Sequence, residues 1–203
     1  MKRDLWFFEN KAYKKGFLKI AGIDEAGRGP LAGPVISAAV ILPKNFENTN
    51  IDDSKKLTEK KRKSLYSLIY EKAISIGIGI VDNISIDNIN ILQASLLSML
   101  YAVKNLKIKP GFLLIDGNRK INSDISQFPI IKGDSLSISI ASASIIAKVT
   151  RDRIMAKYHS KYPVYNFDKN KGYPTKKHKE AIARFGYTPI HRKTFKGVKE
   201  HIK

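Results

Sequence analysis

Asp24 and Glu25 stand side by side inside a run of small residues, Ala21-Gly22-Ile23-Asp24-Glu25-Ala26-Gly27-Arg28-Gly29-Pro30. Two more acids, Asp116 and Asp134, follow apolar runs at Phe112 to Ile115 and Phe128 to Ile131. Metal-assisted cleavage of phosphodiesters asks for carboxylates gathered in this way at strand ends. Mg²⁺ prefers oxygen ligands and keeps some of its waters. A pair of ions can orient an attacking water and steady the leaving oxygen. Neighbouring strand residues face opposite ways. Asp24 and Glu25 therefore share one site only if the strand ends there, or if one of them offers its backbone carbonyl. Gly27 favours such a turn. An acidic pair beside glycines is also ordinary turn chemistry, whereas an acid closing an apolar strand needs a partner for its half-buried charge.

The rest of the chain is basic. Thirty-seven Lys and Arg against 18 Asp and Glu give a formal net charge of +19 over 203 residues. Such a charge repels itself and is not required for folding. A polyanion would offset it, and nucleic acid is the first candidate; a merely soluble basic surface is the plainer reading. Lys148 to Lys203 holds 16 Lys or Arg against Asp152, Asp168, Glu180 and Glu200, a local balance of +12. This quarter is expected to grip phosphate. The individual candidates are Lys55, Lys56, Lys148, Lys176, Lys177, Arg192 and Lys193. Ser142 and Ser144 could donate to phosphate as well, or bond locally to the backbone.

Cysteine is absent, which excludes disulfides, thiolate catalysis and cysteine-held zinc. His159, His178, His191 and His201 are too scattered to suggest a zinc site and read as surface or core residues. No apolar stretch approaches the roughly 18 residues of a membrane span, and the N-terminus lacks the pattern of a secretory leader. A soluble, cytoplasmic monomer is expected.

These side chains need a scaffold. Phe17 to Asp24 reads as a strand, and Leu31 to Leu42 as a second one stopped by Pro43. With a Gly-rich turn between them, an antiparallel hairpin is the simplest geometry. Thr58 can cap a helix running to about Ile74. Ile74 to Val81 is a third strand, where Gly77 and Gly79 mean a bulge or close packing. Residues 87–107 carry Leu92, Leu96, Met99, Leu100, Val103 and Leu106 at amphipathic spacing. Phe112 to Ile115 is wholly apolar, as in a central strand. Phe128 to Ile131 is a fifth strand, and a Ser- and Ala-rich helix covers about Ser139 to His159. His178 to Phe185 is a shorter helix, and residues 186–203 are weakly patterned. The order β-β-α-β-α-β-β-α implies a mixed sheet with helices on both faces.

Several segments together carry a resemblance. They are Gly22-Ile23-Asp24-Glu25-Ala26-Gly27-Arg28-Gly29-Pro30-Leu31, Asp53-Ser54-Lys55-Lys56-Leu57 and Leu114-Ile115-Asp116-Gly117-Asn118. Lys132-Gly133-Asp134, Ala143 through Asp152 and Lys171-Gly172-Tyr173-Pro174-Thr175 complete the set. In this order and spacing the chain resembles bacterial ribonuclease HII over nearly its whole length. The resemblance implies an α/β, RNase H-like fold: a mixed five-stranded sheet flanked by helices, with a small, helical, basic C-terminal region. It divides the chain into a catalytic domain over residues 1–160, with a short N-terminal extension, and a substrate-binding region over 161–203.

It further implies endonucleolytic cleavage of RNA paired with or joined to DNA, including a single ribonucleotide embedded in duplex DNA. The cut lies 5′ to the ribonucleotide and leaves 3′-hydroxyl and 5′-phosphate ends. Asp24, Glu25, Asp116 and Asp134 correspond to the catalytic, metal-binding set, served by Mg²⁺ or Mn²⁺ and by two ions during catalysis. Gly27, Arg28 and Gly29 match the segment that reads the 2′-hydroxyl, and Tyr173 matches the tyrosine that packs on the next deoxyribose. Glycines suit a place where backbone groups must touch sugar and phosphate.

Ser142 stands where the family often has alanine, and Thr194 where serine is common. The related ribonuclease HIII, with its long N-terminal extension, is the weaker match because the first strand already begins near Phe17. Outside the family, a noncatalytic nucleic-acid binder explains the charge but not acids facing phosphate, which repel it unless metal intervenes. An enzyme for small phosphate compounds needs no basic tail.

Overall fold

The computed structural model describes residues 4–44, 46, 51 and 58–202. Lys55 and Lys56, with the rest of Asp53-Ser54-Lys55-Lys56-Leu57, lie outside the described residues.

Five strands form one sheet: β1 (Ile20–Ala26), β2 (Val35–Ile41), β3 (Ser75–Val81), β4 (Phe112–Asp116) and β5 (Ser126–Ile130), in the order β3-β2-β1-β4-β5. β1 pairs antiparallel with β2, and β2 with β3. β1 and β4 are parallel, as are β4 and β5. The sheet is mixed, as expected. Every residue of β2 is buried, because helices cover both faces.

The long helix α4 (Ile138–Lys161) packs against β1 and β2, while α3 (Asn83–Lys104) packs against β2 and β3. Small residues let both helices sit close. A Cβ on Gly22 would run into the backbone of Ser139 and Ile140, and Cβ atoms on Gly77 and Gly79 would meet the carbonyls of Ala102 and Ser98. The β2–β3 ladder continues without a bulge through both of these glycines, so close packing is their role.

The helix expected over 87–107 begins earlier and ends earlier. Asp82 caps its first turn by accepting from Ser85 N–H. Asn90 then leaves helical geometry with φ 65° and caps the remainder through Leu92 and Gln93 N–H. α2 (Glu59–Lys72), capped by Thr58 as expected, lies against α4. The N-terminal helix α1 (Phe7–Lys14) sends Glu9 into the body, where it accepts from Ser137 Oγ at 2.6 Å and from Ser139 N–H at 3.0 Å. That carboxylate therefore sits at the N-terminus of α4, where a helix favours negative charge.

The C-terminal residues fold around the β1–β2 connection. α5 (Phe167–Asn170) and α6 (Lys176–Phe185, capped by Thr175) bring Phe167 and Ile182 into one buried cluster. The same cluster holds Leu31 and Ala32 from the connection and Met155 from α4. The loop after β1 is thus a core element on one side and open on the other. Among the described residues, no helix is long and apolar enough to cross a membrane.

Candidate active site

The parallel ladder between β1 and β4 places Ile23 opposite Ile115, so Asp24 and Asp116 follow at the same level on adjacent central strands. Strand alternation gives their direction. Gly22 abuts α4, and Leu114 packs with Ile140 of α4. Asp24 and Asp116, two residues further along their strands, belong to that same face. Asp134 joins them from the short 3₁₀ turn Gly133–Ser135 just before α4. Asp116 Oδ1 accepts from Gly133 N–H at 2.7 Å and from Asp134 N–H at 3.4 Å, which ties the turn to the end of β4.

Asp24 is 3 % exposed. Burial pushes its carboxyl well above the usual range, and the nearby charges of Glu25 and Asp116 push the same way. Hydrogen bonds from the Ser144 side chain and from Glu25 N–H oppose the rise.

Glu25 is placed differently from the others. β1 does not end at Asp24; its ladder with β2 continues through Glu25 and Ala26. The turn expected at the acidic pair therefore begins later, because Ile36 and Ser37 of β2 still have partners to bond. Glu25 is the next residue on the still-paired strand, with Oε1 3.3 Å from Arg28 Nη1 and its charge still felt by Asp24. Among the described residues, no three acidic or histidine side chains close into a ready-made metal cage.

The loop after β1 starts at Gly27, whose φ of +102° suits glycine. Two buried arginines hold its carbonyls. Arg192 donates to Gly27 O at 2.6 Å, Arg28 O at 2.9 Å and Gly33 O at 3.0 Å. Arg151 donates to Ala32 O, Pro34 O and Lys171 O. Burial pulls both guanidinium groups down, to about 9 for Arg192 and about 10 for Arg151. Tyr173 lies beside the loop: a Cβ placed on Gly29 would sit 3.6 Å from Tyr173 Cε1. Arg28, Gly29 and Tyr173 are all exposed.

Three expectations about phosphate contacts change. Arg192 is 0 % exposed and cannot meet a phosphate; with its fork committed to carbonyls, it is a brace. Ser142 is equally buried and donates to Ile138 O at 2.8 Å, closing a local helical bond. Ser144 turns to Asp24 instead of the surface. Lys148 is half-buried, with Nζ 2.7 Å from Asp152 Oδ1. Lys176, Lys177 and Lys193 are exposed.

Sequence reasoning missed the roles of Arg151, His178 and His191. The two histidines are 13 residues apart, yet their Nε2 atoms lie 3.0 Å apart in the buried layer beneath Tyr173. The one available signal was the burial implied by their apolar neighbours Ala181, Ile182 and Ile190.

Known proteins resemble this chain in sequence and in fold. A family model described as ribonuclease HII matches residues 21–198. The ribonuclease HII of Syntrophus aciditrophicus is 58% identical over 189 residues, covering 93% of this chain and 89% of that protein. The crystal structure of ribonuclease H2 from Pyrococcus horikoshii superposes with a TM-score of 0.75 at 27% identity, covering 90% of this chain and 96% of that one. Bst-RNase HIII in complex with Mn²⁺ shares the fold with a TM-score of 0.66 at 19% identity, over 91% of this chain and 69% of that one.

Proposed function

The chain belongs to the ribonuclease HII family and is an endonuclease acting on RNA paired with or joined to DNA; we propose that Asp24, Glu25, Asp116 and Asp134 carry its chemistry. The observation behind this reading is the buried Asp24 carboxylate, crowded by Asp116 and Glu25 on two adjacent central strands. Like charges so close are costly in a buried place, and a folded chain retains them where a cation offsets the repulsion.

The donors suit a small, hard divalent ion, since all are carboxylate oxygens. Asp24, Asp116 and Asp134 would hold Mg²⁺ or Mn²⁺, with Glu25 contributing from the adjoining position, and two ions fit the number of acids. When bound, such ions lower the pKa of water and neutralise charge on the phosphate. The remaining work belongs to the protein's own groups. Asp116 fixes the Asp134 turn through Gly133 N–H, and Ser144 orients Asp24. The exposed Arg28 and Gly29 receive the ribose, and the Tyr173 ring packs on the deoxyribose that follows. In the reaction, water adds to phosphorus 5′ of the ribonucleotide and the bond from phosphorus to O3′ breaks. The water proton ends on O3′, leaving a 3′-hydroxyl and a 5′-phosphate. Lys148, Lys176, Lys177 and Lys193 hold the flanking backbone, supplying affinity without sequence preference.

The test is cleavage of a duplex with one embedded ribonucleotide and of its all-DNA counterpart, with Mg²⁺, with Mn²⁺ and with chelator. Cutting should be confined to the first duplex and should need the ion. Asp134→Asn should remain folded and nearly inactive. Cleavage that survives chelation, or near-normal turnover by Asp134→Asn, would overturn the assignment.

A further inference from the structure

We propose that His191 and Arg192 form one positioning unit that sets the Gly27–Gly29 loop and Tyr173 against each other, so that a ribose and the following deoxyribose are read together. This rests on the reading above, in which those two elements are the sugar readers.

Arg192 acts on the loop. A trans peptide is planar, so the carbonyl of one residue and the N–H of the next point in opposite directions. Arg192 draws the Gly27 and Arg28 carbonyls inward. The N–H groups of Arg28 and Gly29 must then face away from it, and these two residues are the exposed ones in the loop. The planar guanidinium fork grips both carbonyls and Gly33 O at once. Lysine can supply the charge but not the fork. Without the fork, the peptide planes can turn and carry the outward amides with them.

His191 acts on the tyrosine, and its hydrogen-bond direction can be deduced. Thr188 N–H lies 2.9 Å from His191 Nδ1. A backbone N–H only donates, so Nδ1 is an acceptor and the proton of the neutral ring is on Nε2. That proton faces His178 Nε2 at 3.0 Å. His178 accepts there, carries its own proton on Nδ1, and donates it to Tyr173 O at 2.9 Å. Each proton in the chain from Thr188 to Tyr173 thus has one position. Burial pushes both rings towards this neutral state.

The backbone joins the two arms. Ala32 and His191 form an antiparallel bridge, flanked by Gly33 N–H to Ile190 O and Arg192 N–H to Leu31 O, both 2.8 Å. Leu31 N–H in turn bonds Gly172 O, next to Tyr173, at 2.8 Å. One two-residue step of chain is therefore bonded to the loop directly and to Tyr173 through His178.

His191→Asn and His191→Gln separate the roles of the ring nitrogens. Asn can replace Nδ1 as acceptor but cannot reach His178. Gln can reach His178 with an N–H. The readout is the preference for an RNA–DNA junction over a continuous RNA strand paired with DNA. His191→Asn should lower this preference roughly 10- to 100-fold, through kcat with KM little changed, and His191→Gln should recover most of it. In a Tyr173→Ala background, His191→Asn should change the preference no further. Arg192→Lys should slow cleavage of both substrates. Equal losses on both substrates for His191→Asn, additive with Tyr173→Ala, would mean a purely structural role and overturn the proposal.

A second readout needs no substrate. The Arg28 and Gly29 amide resonances should shift in Arg192→Lys, and the Tyr173 ring resonances in His191→Asn. Unmoved resonances would overturn the positioning unit, whatever cleavage does. If Tyr173→Ala itself kept the full junction preference, the sugar-reading role of Tyr173 would fail, and the resonances alone would decide on the unit. Should His191→Asn fail to fold, His178→Asn carries the same comparisons, since it can still donate to Tyr173 O but cannot reach His191 Nε2.

Discussion

Asp116 and Gly133 are joined by a 2.7 Å hydrogen bond from the glycine N–H to the carboxylate. Through it, a residue closing a central strand holds the turn that delivers Asp134. Asp116 therefore has two separable duties, charge and acceptance. A Cβ on Gly133 would lie 3.3 Å from the same oxygen, so the approach is also steric.

The two duties come apart in a pair of variants. Asp116→Asn keeps an acceptor oxygen and loses the charge; Asp116→Ala loses both. Both should be nearly inactive. Only Ala should also leave Gly133 N–H without its partner, at a cost of about 1–3 kcal/mol. Thermal unfolding in chelator, beside cleavage rates, checks this; equal melting temperatures would remove the tether from the account.

Asp24 supplies a pH prediction. Its carboxyl is raised above the ordinary value of 3.8, first by burial and then by Glu25 and Asp116. A carboxyl raised on folding binds more protons in the folded state than in the unfolded state over the interval between the two pKa values. Stability then falls as pH rises from about 3.8 through the folded value, and the loss persists above it. Asp24→Asn should abolish that slope. In chelator at neutral pH it should melt at or above the wild-type temperature, while being nearly inactive. Added Mg²⁺ should raise the wild-type melting temperature and leave Asp24→Asn little changed. A variant less stable than wild type in chelator would contradict the repulsion argument.

The strand-end acids were legible because an apolar run that stops at a carboxylate carries its meaning locally. Ile23 before Asp24 and Ile115 before Asp116 mark apolar strands that carry an acid, while the pairing of β1 with β4 is seen only in the folded sheet. Other features depend on distant partners. Glu25 looked like a turn residue because Gly27 follows, but Ser37 of β2 extends the strand past it. Arg192 looked like a phosphate contact because it sits in a basic tail; its destination, Gly27 O, is 165 residues away. His178 and His191 become a pair only when α6 folds back on the segment after it. Burial and long-range hydrogen bonding are properties of the fold, and charge counting cannot supply them.

The exposed lysines remain the phosphate candidates. Lys176 has a side chain 92% exposed, and its 4.0 Å approach to Glu180 is a weak surface pair. Changing Lys176 and Lys177 together to Ala should weaken binding to every duplex about equally. The slope of log affinity against log salt should fall by roughly one unit for each phosphate that is no longer neutralised. An unchanged slope would assign these lysines to solvent.

Tyr173 is anchored through its backbone and open at its ring. Its N–H donates to Asn170 O at 2.8 Å, and its carbonyl receives the His178 proton. The residue is 40% exposed, with its ring beside Gly29 and Lys148 Nζ 5.9 Å from the ring centroid. A ring so held is a rigid apolar surface at the mouth of the loop, suited to a sugar without a 2′-hydroxyl. Tyr173→Ala removes that surface and leaves the remote lysines in place. It should cut cleavage at a single embedded ribonucleotide by about a hundredfold, through lost positioning at the reacting junction. Binding to an all-DNA duplex should change little, since phosphate contacts govern it. Tyr173→Phe keeps the flat face and should retain most of the activity. Matched duplexes with one ribonucleotide, four ribonucleotides and none separate these effects. Equal fractional losses in cleavage and in all-DNA binding would show that the ring belongs to the general grip on the duplex and does not read the sugar.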